Sequence, residues 1–441
     1  MKIEKNNENK CTFIINNKTF FIPSAWNLKK LSDITTVKDG THDSPKYVKN
    51  GIPFITSKNL KNNKIDFIDV KYISKEDHEK FYKRSDVSMG DLLFGMIGTI
   101  GNPTIVDTDI NFSIKNVALI KKNNNYCQKF LKYQLLSSNI ISNQLNSLKN
   151  GGVLSFIKLS DIRNLMIIDI DLEKQRKISY ILSLQENHIE NIKQLIKKIE
   201  TRNQYYAEKI LSGELRVRKN ENGNIEFYNN TEWQDGKFNN RKTKYPLEWT
   251  IEKIGSGNTR ILPSGIKEFE GYKKYYATGE VNGANQYLKE TEKVSYYNRT
   301  SRANMQPIRD SIWFARMQNT LKCLYFKSDN DIILSTGFAG IHINTDLVDL
   351  EYMFHLVLSR SFNVIKDSLC LGATQKSINN ENIKHIEYLC PKKDEQILIS
   401  TFLNSLNYEL KEIKILEEKE QLRFQWLLDN LLSGEYQVVD D

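Results

Sequence analysis

The sequence lacks the features that mark secreted, membrane-spanning and zinc-binding proteins. Its few cysteines are odd in number, widely scattered and without C-x-x-C spacing, so neither a disulfide framework nor a zinc site is predicted. They are Cys11, Cys127, Cys323, Cys370 and Cys390. The opening residues, MKIEKNNENK, have no apolar core after the lysines, and no apolar run approaches the length of a membrane span. We therefore expect a protein of the reducing cytoplasm with no membrane partner.

Recognisable catalytic motifs are also missing. The sequence has no Walker A loop, no H-E-x-x-H motif and no Asn-Pro-Pro-aromatic tetrapeptide of the kind that amino-methyltransferases use. In FGMIGTIG, Gly95, Gly98 and Gly101 are spaced by three, unlike G-x-G-x-x-G, and stand among strand-like residues, which indicates turns or bulges. We expect a non-catalytic chain that binds no metal and no cofactor of its own.

Length and charge favour a multidomain protein with an anionic partner. At 441 residues and 39% hydrophobic content, the chain can bury two or three cores. Lysine and arginine outnumber aspartate and glutamate by 63 to 54, which gives a net charge of +9. Such a surplus favours nucleic acid or another polyanion.

The chain contains an internal repeat. The tetrapeptide LSGE occurs at residues 211–214 and again at 432–435, a shift of 221 residues that holds backwards without a gap. Upstream, PSAWNLKKL from Pro23 matches PLEWTIEKI from Pro246, and LLFGM from Leu92 matches IWFAR from Ile312. The repeat predicts the order globular unit, long helix, polar link, globular unit, long helix.

Each LSGE follows a heptad-like apolar seam. Alternating steps of three and four indicate coiled-coil helices of about 35 residues, roughly 50 Å long. The predicted seams contain Leu182, Ile189, Ile192, Ile196, Ile199, Tyr206 and Ile210, and then Leu403, Leu406, Leu410, Ile413, Phe424, Leu427 and Leu431. Glu417 and Glu420 interrupt the second seam, where we expect Leu416 to take over. Gly213 and Gly434 are predicted helix terminators. Two matched seams favour mutual pairing, although each helix packing only on its own globular unit is the alternative.

The globular halves are predicted to be rich in short strands. GIPFIT, GDLLFGMIGTIGNPTIV, DSIWFARM and DIILSTGFAGIHI combine β-branched and aromatic residues with Gly and Pro breaks. The fold class is therefore α+β. We divide the chain into a first domain (1–165), a helical spacer (166–217), a polar link (218–245) with a short strand at IEFY, a second domain (246–388) and a C-terminal helical spacer (389–441).

These stretches together resemble the specificity subunits of type I restriction-modification enzymes. The resemblance is carried by the duplicated LSGE helices, LSDITTVKDGTHDSPKYVKNGIPFITSKNL, GDLLFGMIGTIG, WFARMQNTLK and LSTGFAGI, and it covers nearly the whole chain. It implies two target recognition domains joined by an antiparallel coiled-coil spacer. It also implies that the chain reads a bipartite, asymmetric site on double-stranded DNA. The implied partners are two methyltransferase subunits with S-adenosylmethionine, and restriction subunits that use Mg²⁺ and ATP.

Polar loops supply candidate DNA contacts, because Lys and Arg attract phosphates while Asn, Gln, Arg, Ser and Thr read base edges. In the first domain they are Lys38, Gly40, Thr41, His42 and Ser44, followed by Ser57, Lys58, Asn59 and Lys61. In the second they are Lys273, Lys274, Tyr276, Arg316, Gln318, Asn319, Lys322, Thr374, Gln375 and Lys376. The alternatives are solvated turns, half-buried strand tyrosines and, for Arg316, an ion pair within its own domain.

Two other functions stay open at this point. The chain is alternatively a self-contained, sequence-specific nuclease with a degenerate metal site, or a tandem scaffold whose two heads bind protein. Steep loss of duplex binding with rising salt distinguishes a phosphate binder from the scaffold.

Overall fold

The protein, seen in a computed structural model that describes residues 2–6, 9–137, 139–148, 156–283, 286–287 and 291–439, forms two compact units. Unit 1 comprises Met1–Lys193 and Ile415–Asp441, and unit 2 comprises Gln194–Lys414. Helices and short strands are mixed in both, so the predicted α+β class is confirmed. Both unit boundaries lie inside long helices, and each unit therefore contains part of both helices.

In the part of unit 1 that the structure describes, a four-stranded sheet, a three-stranded sheet and four strand pairs are combined with short helices. Its strands are β1 (Lys2–Lys5), β2 (Lys10–Ile15), β3 (Lys18–Pro23), β4 (Asn27–Lys30), β5 (Val37–Asp39), β6 (Ile52–Thr56), β7 (Leu60–Lys61), β8 (Lys64–Ile65), β9 (Lys71–Ile73), β10 (Leu92–Gly95), β11 (Gly101–Ile105), β12 (Ser113–Lys115), β13 (Val117–Ile120) and β14 (Met166–Asp169). Its short helices are α1 (Leu31–Ile34), α2 (Lys75–Tyr82), α3 (Gln128–Ser137), α4 (Asn139–Leu148) and α5 (Leu159–Arg163), with a 3₁₀ turn at Ser57–Asn59.

The sheets of unit 1 pair strands that are distant in sequence. One sheet has the order β11-β10-β13-β5, and the other has the order β12-β6-β9 with β12 and β6 parallel. Strand β10, LLFG, is buried along its whole length. Its Leu92 and Phe94 share a core with the α6 residue Leu182, so the sheet packs toward the first long helix, α6 (Leu172–Leu211).

Unit 2 repeats this plan. Its strands are β15 (Leu215–Lys219), β16 (Ile225–Asn229), β17 (Trp233–Phe238), β18 (Arg241–Pro246), β19 (Thr250–Lys253), β20 (Thr259–Leu262), β21 (Lys273–Tyr276), β22 (Val281–Asn282), β23 (Gln286–Tyr287), β24 (Lys293–Val294), β25 (Ala303–Met305), β26 (Ser311–Ala315), β27 (Cys323–Phe326), β28 (Ile332–Ser335), β29 (Phe338–Ile343) and β30 (Glu387–Cys390). Its helices are α7 (Leu350–Leu358), α8 (Arg360–Ser368), α9 (Asn380–Ile383) and α10 (Lys393–Leu432), with a 3₁₀ turn at Thr278–Glu280. The sheets have the orders β20-β29-β26-β27 and β24-β21-β28-β25, and β21 and β28 are parallel.

Helices α6 and α10 pack against each other within each unit, and they run antiparallel. In unit 1 the amide of Gln185 donates to the Glu420 carboxylate at 2.6 Å. In unit 2 Asn203 donates to the carbonyl of Leu406 at 3.0 Å, and Lys414 pairs with Glu200 at 2.6 Å. Residues later in α6 contact residues earlier in α10. The predicted antiparallel pairing is therefore confirmed.

The predicted seam is buried or half-buried at every position. Ile189, Ile192, Ile196 and Ile199 are each at most 7% exposed. At Glu417 and Glu420, where acidic residues interrupt the second seam, Leu416 was predicted to replace them. This prediction was wrong, because Leu416 is 39% exposed. Glu420 stays on the seam instead, since Gln185 supplies the hydrogen bond that a buried carboxylate requires.

The LSGE signature ends each long helix as predicted. Gly213 and Gly434 have φ values of +76° and +73°, where L side chains are strained. Each glycine also lies against a Pro-x-x-Trp segment. A Cβ on Gly213 would meet Pro246 at 2.3 Å, and a Cβ on Gly434 would meet Pro23 at 2.5 Å.

The expected polar link at 218–245 is wrong, apart from the strand at IEFY. The segment forms the β15–β16 and β17–β18 hairpins. At the repeat spacing of 223 residues, β17–β18 matches the hairpin β2–β3, and β16 matches β1, which pairs with β31 (Tyr436–Val439). Asn239 and Asn240 adopt positive φ at the turn, so the asparagines that suggested a link encode a tight hairpin instead.

In the described part of the chain, no helix is both long and apolar enough to cross a bilayer.

Candidate nucleic-acid interface

A groove on unit 1 collects lysine and amide side chains from separate segments. This unit 1 groove has a volume of about 680 Å³ and lies between β6, the 3₁₀ turn after it, the loop before β11 and the end of β12. Its lining includes Lys58, Lys61, Lys71 and Lys115, against one carboxylate, Asp69. The excess of positive charge suits a phosphate-bearing partner.

Residues 38–44, a predicted DNA-contact loop, pack beside the groove and are not among the residues that line it. Thr41 is buried, and a Cβ on Gly40 would stand 2.3 Å from the Ile114 carbonyl oxygen, so both are needed for close packing. Lys38 pairs with Asp86 at 2.5 Å, and this hydrogen bond lowers the pKa of the Asp86 carboxyl. Burial therefore contradicts direct contacts by Gly40 and Thr41, whereas contact by Lys38, whose side chain is 34% exposed, stays a prediction.

The side chains of His42 and Ser44 form hydrogen bonds with residues that line the groove. One ring nitrogen of His42 lies 2.9 Å from Asp39, and the other lies 2.8 Å from the side-chain oxygen of Asn116. Ser44 accepts a hydrogen bond from Lys115 at 2.6 Å. Both residues are exposed and adjoin the groove, and each orients a side chain that lines it.

The second predicted segment, 57–61, lines the groove directly, but its members differ in role. Asn59 is buried and uses its side chain to bind Thr56, Asp66 and Asp69, and Ser57 donates to a backbone carbonyl, so both are structural. Lys61 pairs with Asp66 at 2.7 Å. Lys58 is exposed with no ion-pair partner among the described residues, so it is the lysine most available to a phosphate.

In unit 2, Arg316 is a structural residue. Its guanidinium donates to the carbonyls of Phe338 and Ile378 at 3.0 and 3.1 Å and to the side chain of Asn380 at 2.6 Å. Burial lowers the pKa of this guanidinium. The prediction of base contact is corrected in favour of an internal role, which is satisfied by neutral oxygens instead of an ion pair.

The loops around Gln318 and Lys376 are brought together. The backbone amide of Gln318 donates to the Lys376 carbonyl at 3.0 Å, and Lys366, only 1% exposed, donates to the carbonyls of Met317 and Thr320 at 3.1 and 3.0 Å. The predicted residues Asn319, Thr374, Gln375 and Lys376 are exposed on this loop pair, whereas Lys322 is occupied by the Thr278 carbonyl at 2.5 Å.

Strand β21, with the sequence KKYY, carries both exposed and buried side chains. Tyr276 is 5% exposed and belongs to the core with Trp313, so the predicted DNA contact by Tyr276 is wrong and the half-buried-strand alternative applies. Lys274 is exposed, while the Lys273 ammonium lies 4.9 Å from the ring centre of Phe269. In unit 1, Lys71 likewise lies 4.3 Å from the ring centre of Tyr47.

Sequence reasoning missed several residues that line the unit 1 groove. They are Tyr47, Lys71, Thr99, Asn102 and Lys115. For three of them, a position beside a turn could have indicated the site. Thr99 and Asn102 lie in or beside the glycine-containing turn of FGMIGTIGN, and Lys115 ends a short strand before an asparagine at positive φ.

The long helices present the same exposed patch twice. Leu195 and Tyr205 on α6 are 44% and 56% exposed, and their repeat counterparts Leu416 and Trp426 on α10 are 39% and 43% exposed. A lysine stands between each pair, at Lys198 and Lys419. We call these two surfaces the helix patches; exposed apolar residues of this kind mark interaction sites when they are clustered.

Comparison with known proteins gives a consistent result. A family model described as the type I restriction modification DNA specificity domain matches residues 23–201. The MjaX type I restriction enzyme specificity subunit of Methanocaldococcus jannaschii is 23% identical over 451 aligned positions, which cover 95% of each chain. The EcoBI specificity subunit of Escherichia coli is 24% identical over 213 positions, 46% of this chain and 45% of its own.

The fold agrees with these relatives. A chain from a structural study of complex assembly and conformational transition of the type I R-M system has a TM-score of 0.57 at 13% identity, and covers 94% of this chain and 99% of its own. Each unit combines short strands and helices with part of both long helices, and the fold is similar to that of the solved chain. By sequence the chain is similar to the specificity subunits of type I restriction-modification systems, over residues 23–201 in the family model and over 95% of the chain in the Methanocaldococcus relative.

Proposed function

We propose that this chain is the DNA-reading subunit of a type I restriction-modification complex, with one unit for each half of a bipartite, asymmetric target. The observation that carries the proposal is the unit 1 groove, where four lysines converge on a surface that also presents Thr99 and Asn102. Lysines supply sequence-independent attraction to phosphates, while hydroxyl and amide groups distinguish base edges.

The candidate contact surfaces described in the two units carry different side chains, which supports two different half-sites. Unit 1 presents lysines in a groove, whereas unit 2 presents the polar loop pair with Gln375 and Lys376. Different donors and acceptors favour different bases, and this makes the target asymmetric.

Methylation and cleavage belong to partner chains in this proposal. The helix patches support two copies of one methyltransferase subunit as partners, because a repeated surface of the same chemistry binds the same partner twice. The methyltransferase supplies S-adenosylmethionine, and restriction subunits, which use Mg²⁺ and ATP, join through it.

The test is co-expression of the chain with its methyltransferase subunit, followed by genome-wide mapping of methylated adenines. The proposal expects methylation at one two-part sequence that is absent without this chain. Adding Leu416→Glu, with exposed Lys411→Glu on the same helix as the control, should reduce the bound methyltransferase from two copies to one. Methylation that is indifferent to the chain would overturn the proposal.

A further inference from the structure

A half-buried carboxylate on α6 of unit 1, that of Glu186, holds the β7–β8 hairpin and helix α3 to α6. Glu186 accepts hydrogen bonds from the Lys132 ammonium at 2.8 Å to both of its oxygens and from the Tyr133 hydroxyl at 2.8 Å. Its third partner is Asn63, whose side-chain amide donates at 2.9 Å. A side chain with four such bonds is fixed in one position.

Two of these partners belong to α3, but Asn63 lies at the tip of the β7–β8 hairpin. Asn62 and Asn63 have φ values of +50° and +58°, as a two-residue hairpin turn requires. Lys64, next to the tip, lies 3.5 Å from Glu190 one helical turn further along α6. The hairpin is thus fastened to the helix at its tip.

The same hairpin continues from the groove-lining segment. Lys61 ends β7 and Lys58 precedes it by three residues, so two of the four groove lysines lie on the chain that the Asn63 contact holds. The base of the hairpin is held separately, because Asn102 donates to the Leu60 carbonyl at 2.8 Å. Lys61 therefore lies between two anchors, at Leu60 and Asn63, and Lys58 precedes the first of them by two residues.

The electrostatics keep Glu186 ionised. Burial alone would raise the pKa of its carboxyl, but the charge and hydrogen bond of Lys132, with the bonds from Tyr133 and Asn63, hold the pKa below its ordinary value. An ionised carboxylate makes a stronger, charge-assisted bond to the Asn63 amide. At the repeat spacing of 221 residues, unit 2 has Asn407 in the place of Glu186, so the device belongs to unit 1.

We propose that Glu186 is a positioning residue for recognition of the half-site read by unit 1: it holds the β7–β8 hairpin against α6 and so fixes Lys61 at the groove. This inference rests on the proposed function. It adds that base discrimination by unit 1 depends on a helix residue that does not itself line the groove, because a phosphate contact by Lys61 fixes the register in which the groove meets the bases.

The test uses the reconstituted complex with its methyltransferase and duplexes altered in one half-site at a time. Asn63→Asp places a carboxylate against Glu186, and Asp tolerates the positive φ of this turn. Asn17→Asp is the matched control, because Asn17 occupies the equivalent turn of the β2–β3 hairpin, is exposed and has no side-chain partner among the described residues. Replacing residues 246–388 with the corresponding segment of a relative identifies the half-site that unit 1 reads, because the half of the target that stays unchanged belongs to unit 1.

The expected result is a tenfold or greater loss of discrimination, in kcat/KM, confined to the half-site that the exchange of residues 246–388 leaves unchanged. Adding Glu186→Gln to Asn63→Asp should restore most of it, since the Gln amide can donate to the new carboxylate. Asn17→Asp should match the wild type. Equal losses at both half-sites, no loss, or no rescue would each overturn the inference. Failure of the wild-type chain to discriminate at all would instead refute the proposed function.

Discussion

Gly434 lies so close to Trp26 that a Cβ on the glycine would stand 3.0 Å from the indole ring, and Gly213 bears the same relationship to Trp249 at 3.2 Å. The glycine of LSGE therefore has two tasks in each unit: it reverses the backbone at the helix end, and it leaves room for the Pro-x-x-Trp segment. This pairing explains why the signature and the tryptophan recur together in the sequence.

The first prediction concerns this contact. Gly434→Ala should destabilise the chain by ~2–5 kcal/mol, since a positive φ costs an L residue ~1–2 kcal/mol and overpacking adds ~1–3 kcal/mol. Gly223→Ala is the matched control, because Gly223 has a φ of +77° with no atom within 4 Å of its Cβ position. The control should lose ~1–2 kcal/mol only. Urea unfolding of the purified chain measures both, and equal losses would contradict the packing argument.

The second prediction separates folding from reading at Arg316. Arg316→Ala leaves the carbonyls of Phe338 and Ile378 without their donor, so we expect a loss of ~2–4 kcal/mol in unfolding free energy. Discrimination among bases should change little in the fraction that stays folded. Gln375→Ala, on the exposed loop, should show the opposite pattern. Relaxed base preference with unchanged stability in Arg316→Ala would return Arg316 to the list of base contacts.

The third prediction is a pH effect from His355. Its Nε2 lies 2.8 Å from the Asn404 side-chain oxygen, and burial lowers the pKa of the imidazole below 6.5. The unfolded chain therefore takes up a proton that the folded chain resists, so stability falls as pH drops through 6.5 toward the folded pKa. The slope approaches ~1.4 kcal/mol per pH unit in that window. His355→Gln should flatten the slope between pH 7 and pH 5, measured by denaturant unfolding; an unchanged slope would assign the acid sensitivity to other groups.

The fourth prediction concerns the unit 1 groove. Lys58→Ala should weaken duplex binding similarly for all sequences at a given salt concentration and reduce the slope of log K against log salt by about 1, because one phosphate contact is lost. Lys18→Ala, an exposed lysine on the β2–β3 hairpin, is the control and should leave the slope unchanged. Fluorescence anisotropy across a salt series provides the measurement. A slope that Lys58→Ala does not alter would place the DNA elsewhere.

The sequence predicted the architecture well because its strongest signals are periodic. The 221-residue repeat, the heptad seams and the terminating glycines depend on local spacing, and each was found where it was expected. The hairpins of 218–245 were missed because a two-residue Asn-Asn turn looks, in composition, like a polar linker.

The groove was harder to predict because its residues come together only through non-local pairing. Lys115 reaches the segment after β6 through the parallel pairing of β12 with β6, which no local pattern reveals. Polar loop residues also divide between solvent and buried hydrogen bonds. Arg316 and Asn59 look like base readers in sequence, yet both are occupied by backbone carbonyls.

The most direct measurement of the central claim, that each unit reads one half of the target, is an exchange experiment. Residues 246–388 are replaced by the corresponding segment of a relative that directs methylation to a different sequence, and methylated adenines are mapped after co-expression with the methyltransferase. The account predicts a new two-part target in which one half is unchanged and the other is that of the donor. A target altered in both halves, or in neither, would contradict it.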